Sequence, residues 1–219
     1  MRTRIYPLAL GKIIKHTLID PNNEVAGLLV GKYINKSDVL EIWDAITGDQ
    51  KSTPGFVYLH EDTIAQAAEW ILRNRPGLYI VGWYHSHPGF SIFLSAIDLE
   101  TQKRYQMFYP KAVALVVDPL KYSQSGRLSD LKFSVFRINK RGEVVRVPMS
   151  IGIQRHKLLE STLKGIETME LKYIDTGRDI DEYEIPVEDD LEEGRISSPL
   201  SSMVNRFNKL RKFKDKFIH

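Results

Sequence analysis

Hydrophobic residues recur with a helical period in three stretches of the chain. These stretches are residues 8–19, 62–74 and 95–108. Apolar side chains in each stretch stand three or four positions apart, so they share one face of a helix. The run Asp20-Pro21-Asn22-Asn23 should end the first helix and Pro76-Gly77 the second. Asp62 or Thr63 is the expected N-cap of the second helix.

Short apolar runs bounded by turn residues predict β-strands between these helices. The runs are residues 25–31, 39–45, 78–84, 112–117, 131–138 and 144–147. Residues 25–31 are continuously apolar, as expected for a strand that is buried on both faces of a sheet. Helices and strands follow one another in mixed order, so the predicted fold class is α/β (α+β), with a mixed β-sheet sandwiched by helices.

Composition indicates a globular protein, because 42% of the 219 residues are apolar and 27% are charged. No apolar stretch approaches the roughly 18 to 20 residues of a spanning helix. The first eight residues contain two arginines and a proline in place of a signal-peptide core, so we expect a cytoplasmic protein without a membrane partner. There is no cysteine. Disulfides, thiol nucleophiles and Cys-ligated metals are therefore excluded, and histidines and carboxylates must hold any metal.

Charge is distributed unevenly near the C-terminus. Residues 175–194 contain ten acidic residues and one arginine, which predicts a solvated linker. Residues 195–219 contain seven basic residues and one acidic residue on an apolar-striped pattern, which predicts a basic amphipathic helix. That helix either folds back on the body or binds a partner, and no sequence-specific nucleic-acid motif accompanies it. We expect a main domain over residues 1–150 and a helical extension over residues 151–174.

The residues with the clearest chemical potential lie in Tyr84-His85-Ser86-His87-Pro88 and in Ser95-Ala96-Ile97-Asp98. Side chains alternate along a strand, so His85 and His87 should face the same side. Asp98 falls in the first turn of the next helix, and the intervening loop can bring it back to the histidines. Two imidazoles and one carboxylate leave one tetrahedral position open for water, as in catalytic zinc sites. The alternative is a capping box beside two hydrogen-bonded histidines, and capping does not prevent ligation.

The string His85-x-His87-Pro88 followed by Ser95-x-x-Asp98 resembles the JAMM motif of the MPN-domain metalloproteases. The flanking segments, residues 81–90, 98–102 and 114–119, are most similar to the proteasome-lid deubiquitinase branch of that family. The resemblance covers roughly residues 5–140 and implies the MPN/JAMM fold with a C-terminal helical extension. It also implies that His85, His87 and Asp98 bind one Zn²⁺ per chain. By the same resemblance, Glu24 is the general base and the Ser95 hydroxyl stabilises the oxyanion.

The resemblance implies a zinc-dependent isopeptidase that removes ubiquitin or a ubiquitin-like modifier from substrate lysines. Hydrolysis would be direct, without a covalent intermediate. The implied partners are ubiquitin or ubiquitin-like proteins and their conjugates, and a proteasome, an AAA+ unfoldase and an MPN-type dimer are further candidates. Two alternatives stay open: a catalytically silent MPN scaffold that binds modifiers, and a hydrolase of small amides.

Relatives in this family hold the modifier tail as an added strand against an insertion that folds into a hairpin. The corresponding segment here is about residues 46–57, and its glycines and proline suit a mobile turn. We expect it to be disordered or displaced until substrate arrives; an ordinary surface loop is the alternative. Trp83 is expected in the core, whereas Phe93 either contacts substrate or anchors its loop. The expected substrate-binding residues are Ile46, Thr47, Gly48, Pro54, Gly55, Phe56, Val57 and Phe93.

Overall fold

The computed structural model describes residues 1–152 and 172–177. The helices in this part of the chain are α1 (Pro7–Ile19), α2 (Glu61–Asn74), α3 (Ala96–Phe108) and α4 (Leu120–Ser125). The strands are β1 (Arg2–Ile5), β2 (Ala26–Ile34), β3 (Val39–Gly48), β4 (Gln50–Ser52), β5 (Val57–Leu59), β6 (Tyr79–Ser86), β7 (Val113–Asp118), β8 (Lys132–Ile138), β9 (Val144–Val147), β10 (Met149–Ile151) and β11 (Lys172–Ile174). No helix among these residues is long and apolar enough to cross a membrane.

Nine of the described strands form one mixed sheet in the order β10-β1-β3-β2-β6-β7-β8-β9, with β11 also paired to β3. β1 pairs with the first half of β3, and β11 pairs with its last three residues. β2 runs antiparallel to β3 and β6, with Ala26 opposite His85, and β6 runs parallel to β7. The start of β2 therefore lies beside the end of β6 that carries the paired histidines. β4 and β5 form a separate antiparallel hairpin.

Two hydrophobic clusters cover the faces of the sheet. Leu29 packs with the apolar side of α1 in one cluster, whereas Leu28 and Val30 pack with α2 in the other. Consecutive β2 side chains point to opposite faces, so both faces of this strand are buried. This explains the continuous apolar run, and each fully buried Leu or Val contributes roughly 1.5–3 kcal/mol. The predicted sheet sandwiched by helices is confirmed.

The structure confirms the three predicted helices and the six predicted strands, with small shifts at their ends. The N-cap of α2 is a correction, because it is His60, whose Nδ1 accepts the Asp62 N–H at 3.0 Å, and not Asp62 or Thr63. The pattern did not predict the short helix α4 or the strands β1, β4, β5, β10 and β11. These strands have three or four residues, too few for a period to be visible.

The expected helical extension over residues 151–174 is corrected at its two ends. Ile151 is the last residue of β10, and Lys172–Ile174 form β11. β11 extends the sheet along the free end of β3, and Ile174 is buried against the α2 side of the sheet. Backbone pairing and this burial outweigh any local preference for helix. The middle of the predicted extension, most of the acidic linker and the basic helix lie outside the described residues.

Candidate metal centre

His85 and His87 converge at the end of β6, as the alternation of side chains predicts. Their Nε2 atoms lie 3.1 Å apart, and both side chains are buried. β6 runs between β2 and β7, which fixes the backbone of His85. The His87 N–H donates to the Val117 carbonyl at 2.8 Å, so the β7 pairing continues past the end of β6. The sheet thus holds both imidazoles in one orientation.

Asp98 reaches the two histidines from the first turn of α3. Its Oδ1 lies 3.4 Å from Nε2 of His85, and its Oδ2 lies 3.5 Å from Nε2 of His87. Ser95 is the N-cap of α3: its Oγ accepts the Asp98 N–H at 3.2 Å, and its own N–H donates to Asp98 Oδ2 at 2.7 Å. The capping box is therefore real, and it orients the carboxylate toward the histidines.

Glu24 lies beside the histidines at the start of β2. Its Oε1 is 3.6 Å from Nε2 of His87, and its side chain is buried. The turn formed around Asp20 ends α1 and leads the chain into the sheet at this point. The Glu24 N–H donates to the Thr53 carbonyl at 2.9 Å, which connects this stretch to the β4–β5 hairpin.

The site changes the acidity of its own groups. Burial raises the pKa of Glu24 to about 7, with His87 opposing the rise and Asp98 adding to it. Burial would also raise the pKa of Asp98, but hydrogen bonds and charge from His85 and His87 hold it well below its usual range. Burial lowers the pKa of His85, which favours its neutral form. The site thus combines an ionised aspartate, a neutral imidazole and a glutamate that titrates near neutrality.

The three convergent groups fit a divalent metal. One donor atom each from His85, His87 and Asp98 lies within 4.8 Å of the other two. The two Nε2 atoms are 3.1 Å apart, and each lies 3.4–3.5 Å from one of the two Asp98 carboxylate oxygens. These separations are close to the ~3.3 Å between ligands of a tetrahedral zinc with 2.0–2.1 Å bonds. Nδ1 of His87 lies 3.1 Å from the Ser91 carbonyl. Donation from Nδ1 leaves the Nε2 lone pair directed at the cluster, as metal ligation requires.

Two supporting residues were not identified from the sequence as parts of the site. Trp83, expected only in the core, is buried and stacks on His85 with ring centroids 4.4 Å apart. Its position two residues before His85 was a usable signal, since such residues share a strand face. Asp118 accepts the N–H groups of Gly89 and Leu120 and so anchors the start of the loop between the ligands. Its sequence context, an Asp-Pro after a strand, indicates only a turn.

The structure separates the residues expected to bind substrate. Ile46 and Thr47 are 1% and 2% exposed within β3, so their side chains belong to the interior. Gly48 ends the same strand beside β11. Pro54, Gly55, Phe56 and Val57 lie in the turn and second strand of the β4–β5 hairpin, and the first two are exposed.

The expectation of a disordered segment is corrected, because residues 50–59 form a paired hairpin. Backbone hydrogen bonds order it: Thr53 N–H donates to the Phe56 carbonyl, and the Thr53 carbonyl accepts from Glu24. Phe93 is 46% exposed, and its ring centroid lies 5.0 Å from that of His87. Phe93 therefore flanks the ligand cluster and is open to solvent.

Comparisons with known proteins find a family model and several relatives that match this chain. Residues 2–111 match the family model of the JAB1/Mov34/MPN/PAD-1 ubiquitin protease. Over 169 residues the chain is 30% identical to the 26S proteasome regulatory subunit RPN11 of Eremothecium gossypii, which covers 74% of this chain and 53% of the relative. Over 118 residues it is 35% identical to the ubiquitin carboxyl-terminal hydrolase RPN11 of Saccharomyces cerevisiae, which covers 53% of this chain and 38% of the relative.

A third relative is the 26S proteasome non-ATPase regulatory subunit 14 of Drosophila melanogaster. The two chains are 36% identical over 119 residues, which is 53% of this chain and 38% of the relative. The chain thus spans about half the length, or less, of these relatives. The matched range, residues 2–111, spans Glu24, His85, His87, Ser95 and Asp98.

Proposed function

The chain belongs to the JAB1/Mov34/MPN/PAD-1 ubiquitin protease family, and from this premise we propose that it is a zinc-dependent isopeptidase acting on ubiquitin or ubiquitin-like conjugates. The observation that carries the proposal is the convergence of His85, His87 and Asp98 on one point with Glu24 beside it. Burying a carboxylate costs free energy, so the buried Glu24 beside the His87 imidazole favours a catalytic role over that of a silent scaffold.

His85, His87 and Asp98 are the residues that would hold the zinc ion. A bound zinc ion supplies Lewis-acid polarisation of a carbonyl and increases the acidity of water. The protein contributes fixed geometry, because β6 orients both imidazoles and the α3 capping box orients the carboxylate. The stacked Trp83 and the Ser91 carbonyl support the rings from behind.

Glu24 is the proposed general base. It would take a proton from the attacking water as the water oxygen bonds to the isopeptide carbonyl carbon, and then give that proton to the lysine amine as the C–N bond breaks. Burial raises the pKa of Glu24 to about 7, which suits a group that must both accept and release a proton near neutrality. No covalent intermediate with the protein is required.

Ser95 is the proposed oxyanion donor. Its Oγ accepts the Asp98 N–H, so the hydroxyl proton is not used in that hydrogen bond. The hydroxyl can therefore donate to the oxygen on which negative charge develops.

The β4–β5 hairpin and Phe93 are the proposed contacts for the modifier. A flexible modifier tail can add as a strand to a hairpin edge through main-chain hydrogen bonds. The exposed Pro54 and Gly55 form the tip of this hairpin. Since two relatives are named as proteasome subunits, we include a proteasome or an unfoldase among the proposed partners, and a cytoplasmic location.

The test combines metal analysis with cleavage. The purified full chain, loaded with zinc, is incubated with ubiquitin–lysine and ubiquitin-like conjugates, and products are read by mass. We expect about one zinc per chain, cleavage after the modifier C-terminus, and loss of cleavage with chelator. Zinc-loaded protein that cleaves none of these conjugates overturns the proposed function.

Glu24→Gln tests the base within the same experiment. It should retain zinc and fold and should lower kcat by ~10²–10⁴-fold, because the proton acceptor is lost. Glu69→Gln, at an exposed position on α2, is the matched control and should cleave normally. Wild-type turnover by Glu24→Gln would show that another group is the base.

A further inference from the structure

Three consecutive backbone N–H groups at the start of β2 are bound by groups from other segments. The Glu24 N–H donates to the Thr53 carbonyl at 2.9 Å, and the Val25 N–H donates to Oγ of Ser86 at 3.0 Å. The Ala26 N–H donates to Oε1 of the Gln50 side chain at 2.7 Å. Two of these three acceptors, Thr53 and Gln50, come from β4 and the hairpin turn.

The Gln50 amide is fully engaged. Its Nε2 donates to Oγ1 of Thr47 at 3.1 Å and to the Gly48 carbonyl at 3.3 Å. Oγ1 of Thr47 donates in turn to the Ala26 carbonyl at 2.7 Å. Gln50 and Thr47 together therefore bind both backbone polar groups of Ala26. A rotated amide would set a donor against the Ala26 N–H, so the network permits one orientation of the side chain.

This network matters because the Glu24 carboxylate has little support of its own. Among the described residues, no group donates a hydrogen bond to this carboxylate, and its charged neighbours are His87, whose Nε2 lies 3.6 Å from Oε1, and Asp98. The backbone of residues 24–26 therefore decides where the carboxylate lies. A displacement of ~1 Å in a catalytic group can cost ~100-fold in rate.

We propose that Gln50 is a positioning residue for Glu24, which ties the β4–β5 hairpin to the start of β2. The inference rests on the proposed isopeptidase function. The hairpin that is proposed to receive the modifier tail then also fixes the general base. Gln50 supplies the side-chain contact of this connection, so its replacement should affect turnover through Glu24 without disturbing the metal ligands.

A double-mutant cycle tests this inference. Gln50→Ala should lower kcat by ~10-fold or more with little change in KM, and it should keep wild-type zinc content. In the Glu24→Gln background the same change should have almost no further effect on kcat, because the base is already absent. Gln66→Ala, an exposed glutamine on α2, is the matched control and should leave kcat unchanged.

A second variant guards against a general loss of fold. Gln50→Met keeps the length of the side chain and loses only the hydrogen bonds of the amide, so it should keep the fold and the zinc while its kcat falls as in Gln50→Ala. Equal losses of kcat from Gln50→Ala in the wild-type and Glu24→Gln backgrounds would overturn the inference. A change confined to KM would overturn it as well.

Amide hydrogen exchange provides a readout that is independent of activity. Exchange at Ala26 should be ~10-fold faster in Gln50→Ala, since one hydrogen bond worth ~1.4 kcal/mol is lost. Unchanged exchange at Ala26 would show that Gln50 does not hold this backbone. An inactive wild type with faster exchange in the variant would instead refute the proposed function and leave the contact itself established.

Discussion

At the scale of single residues, the two candidate ligand histidines differ in the support of their second ring nitrogen. Nδ1 of His87 lies near the Ser91 carbonyl, whereas Nδ1 of His85 is buried without a hydrogen-bond partner among residues 1–152 and 172–177. His85 is instead held by stacking on Trp83 and by complete burial. Orientation thus comes from a hydrogen bond in one ring and from packing in the other.

His87→Ala should lose zinc as well as activity. The substitution removes one of the three proposed metal ligands. The affinity for zinc should therefore fall by more than the ~100-fold that loss of a supporting contact costs. Elemental analysis after dialysis against buffered zinc measures this, and Glu24→Gln serves as the variant that keeps its metal. Zinc at wild-type occupancy in His87→Ala would mean that other residues are the ligands.

At the scale of elements, Asp49 joins three segments at the junction of β3 and β4. Its carboxylate accepts from the Tyr173 hydroxyl at 2.7 Å and from the N–H and hydroxyl of Thr176, while its N–H donates to the Ile174 carbonyl. Burial would raise the pKa of Asp49, but the hydrogen bonds from Thr176 and Tyr173 lower it overall. The residue therefore fastens β11 beside the hairpin.

Asp49→Asn should destabilise the fold by about 1–3 kcal/mol, because an amide cannot accept all of these hydrogen bonds. The carboxylate has a lowered pKa in the folded state. The stabilisation of the fold by this carboxylate is therefore present above the unfolded-state pKa and is lost as the pH falls through the folded-state pKa. Urea denaturation at neutral pH, with Asp130→Asn as a half-buried control, measures the difference. Equal midpoints for Asp49→Asn and the wild type would contradict this role.

At the scale of the whole molecule, α1 is linked to the strand of the candidate site by a buried polar pair. Nδ1 of His16 lies 2.9 Å from the Tyr84 hydroxyl, and Tyr84 directly precedes His85. Burial lowers the pKa of His16 to about 4. Folding thus requires a neutral imidazole in the core.

Stability should therefore decrease as the pH falls from 6.5 to 4. In this pH window His16 is protonated in the unfolded chain but stays neutral in the folded chain. This protonation stabilises the unfolded state by up to about 3 kcal/mol. Metal-free wild type and His16→Asn are compared by urea denaturation across this range. The variant should be less stable at neutral pH, and its free energy of unfolding should depend less on pH. The same pH dependence in both proteins would show that His16 does not titrate in this way.

The sequence by itself determined the features that depend on neighbouring residues. Period and strand alternation are local, so they predicted the main helices and strands, the shared direction of His85 and His87, and the place of Asp98 in the first turn of α3. Glu24 was identified only through the family resemblance, since its spacing from the histidines has no local meaning.

Only the tertiary structure decided the connections between distant segments. Val25 and Ser86 are 61 positions apart, and Asp49 and Tyr173 are 124 positions apart, yet each pair is hydrogen-bonded. Short strands such as β4, β5 and β11 form because a partner strand and an apolar surface are available, which no local pattern records. The positions of Glu24 and of the hairpin therefore follow from backbone groups that must find partners once the sheet has assembled.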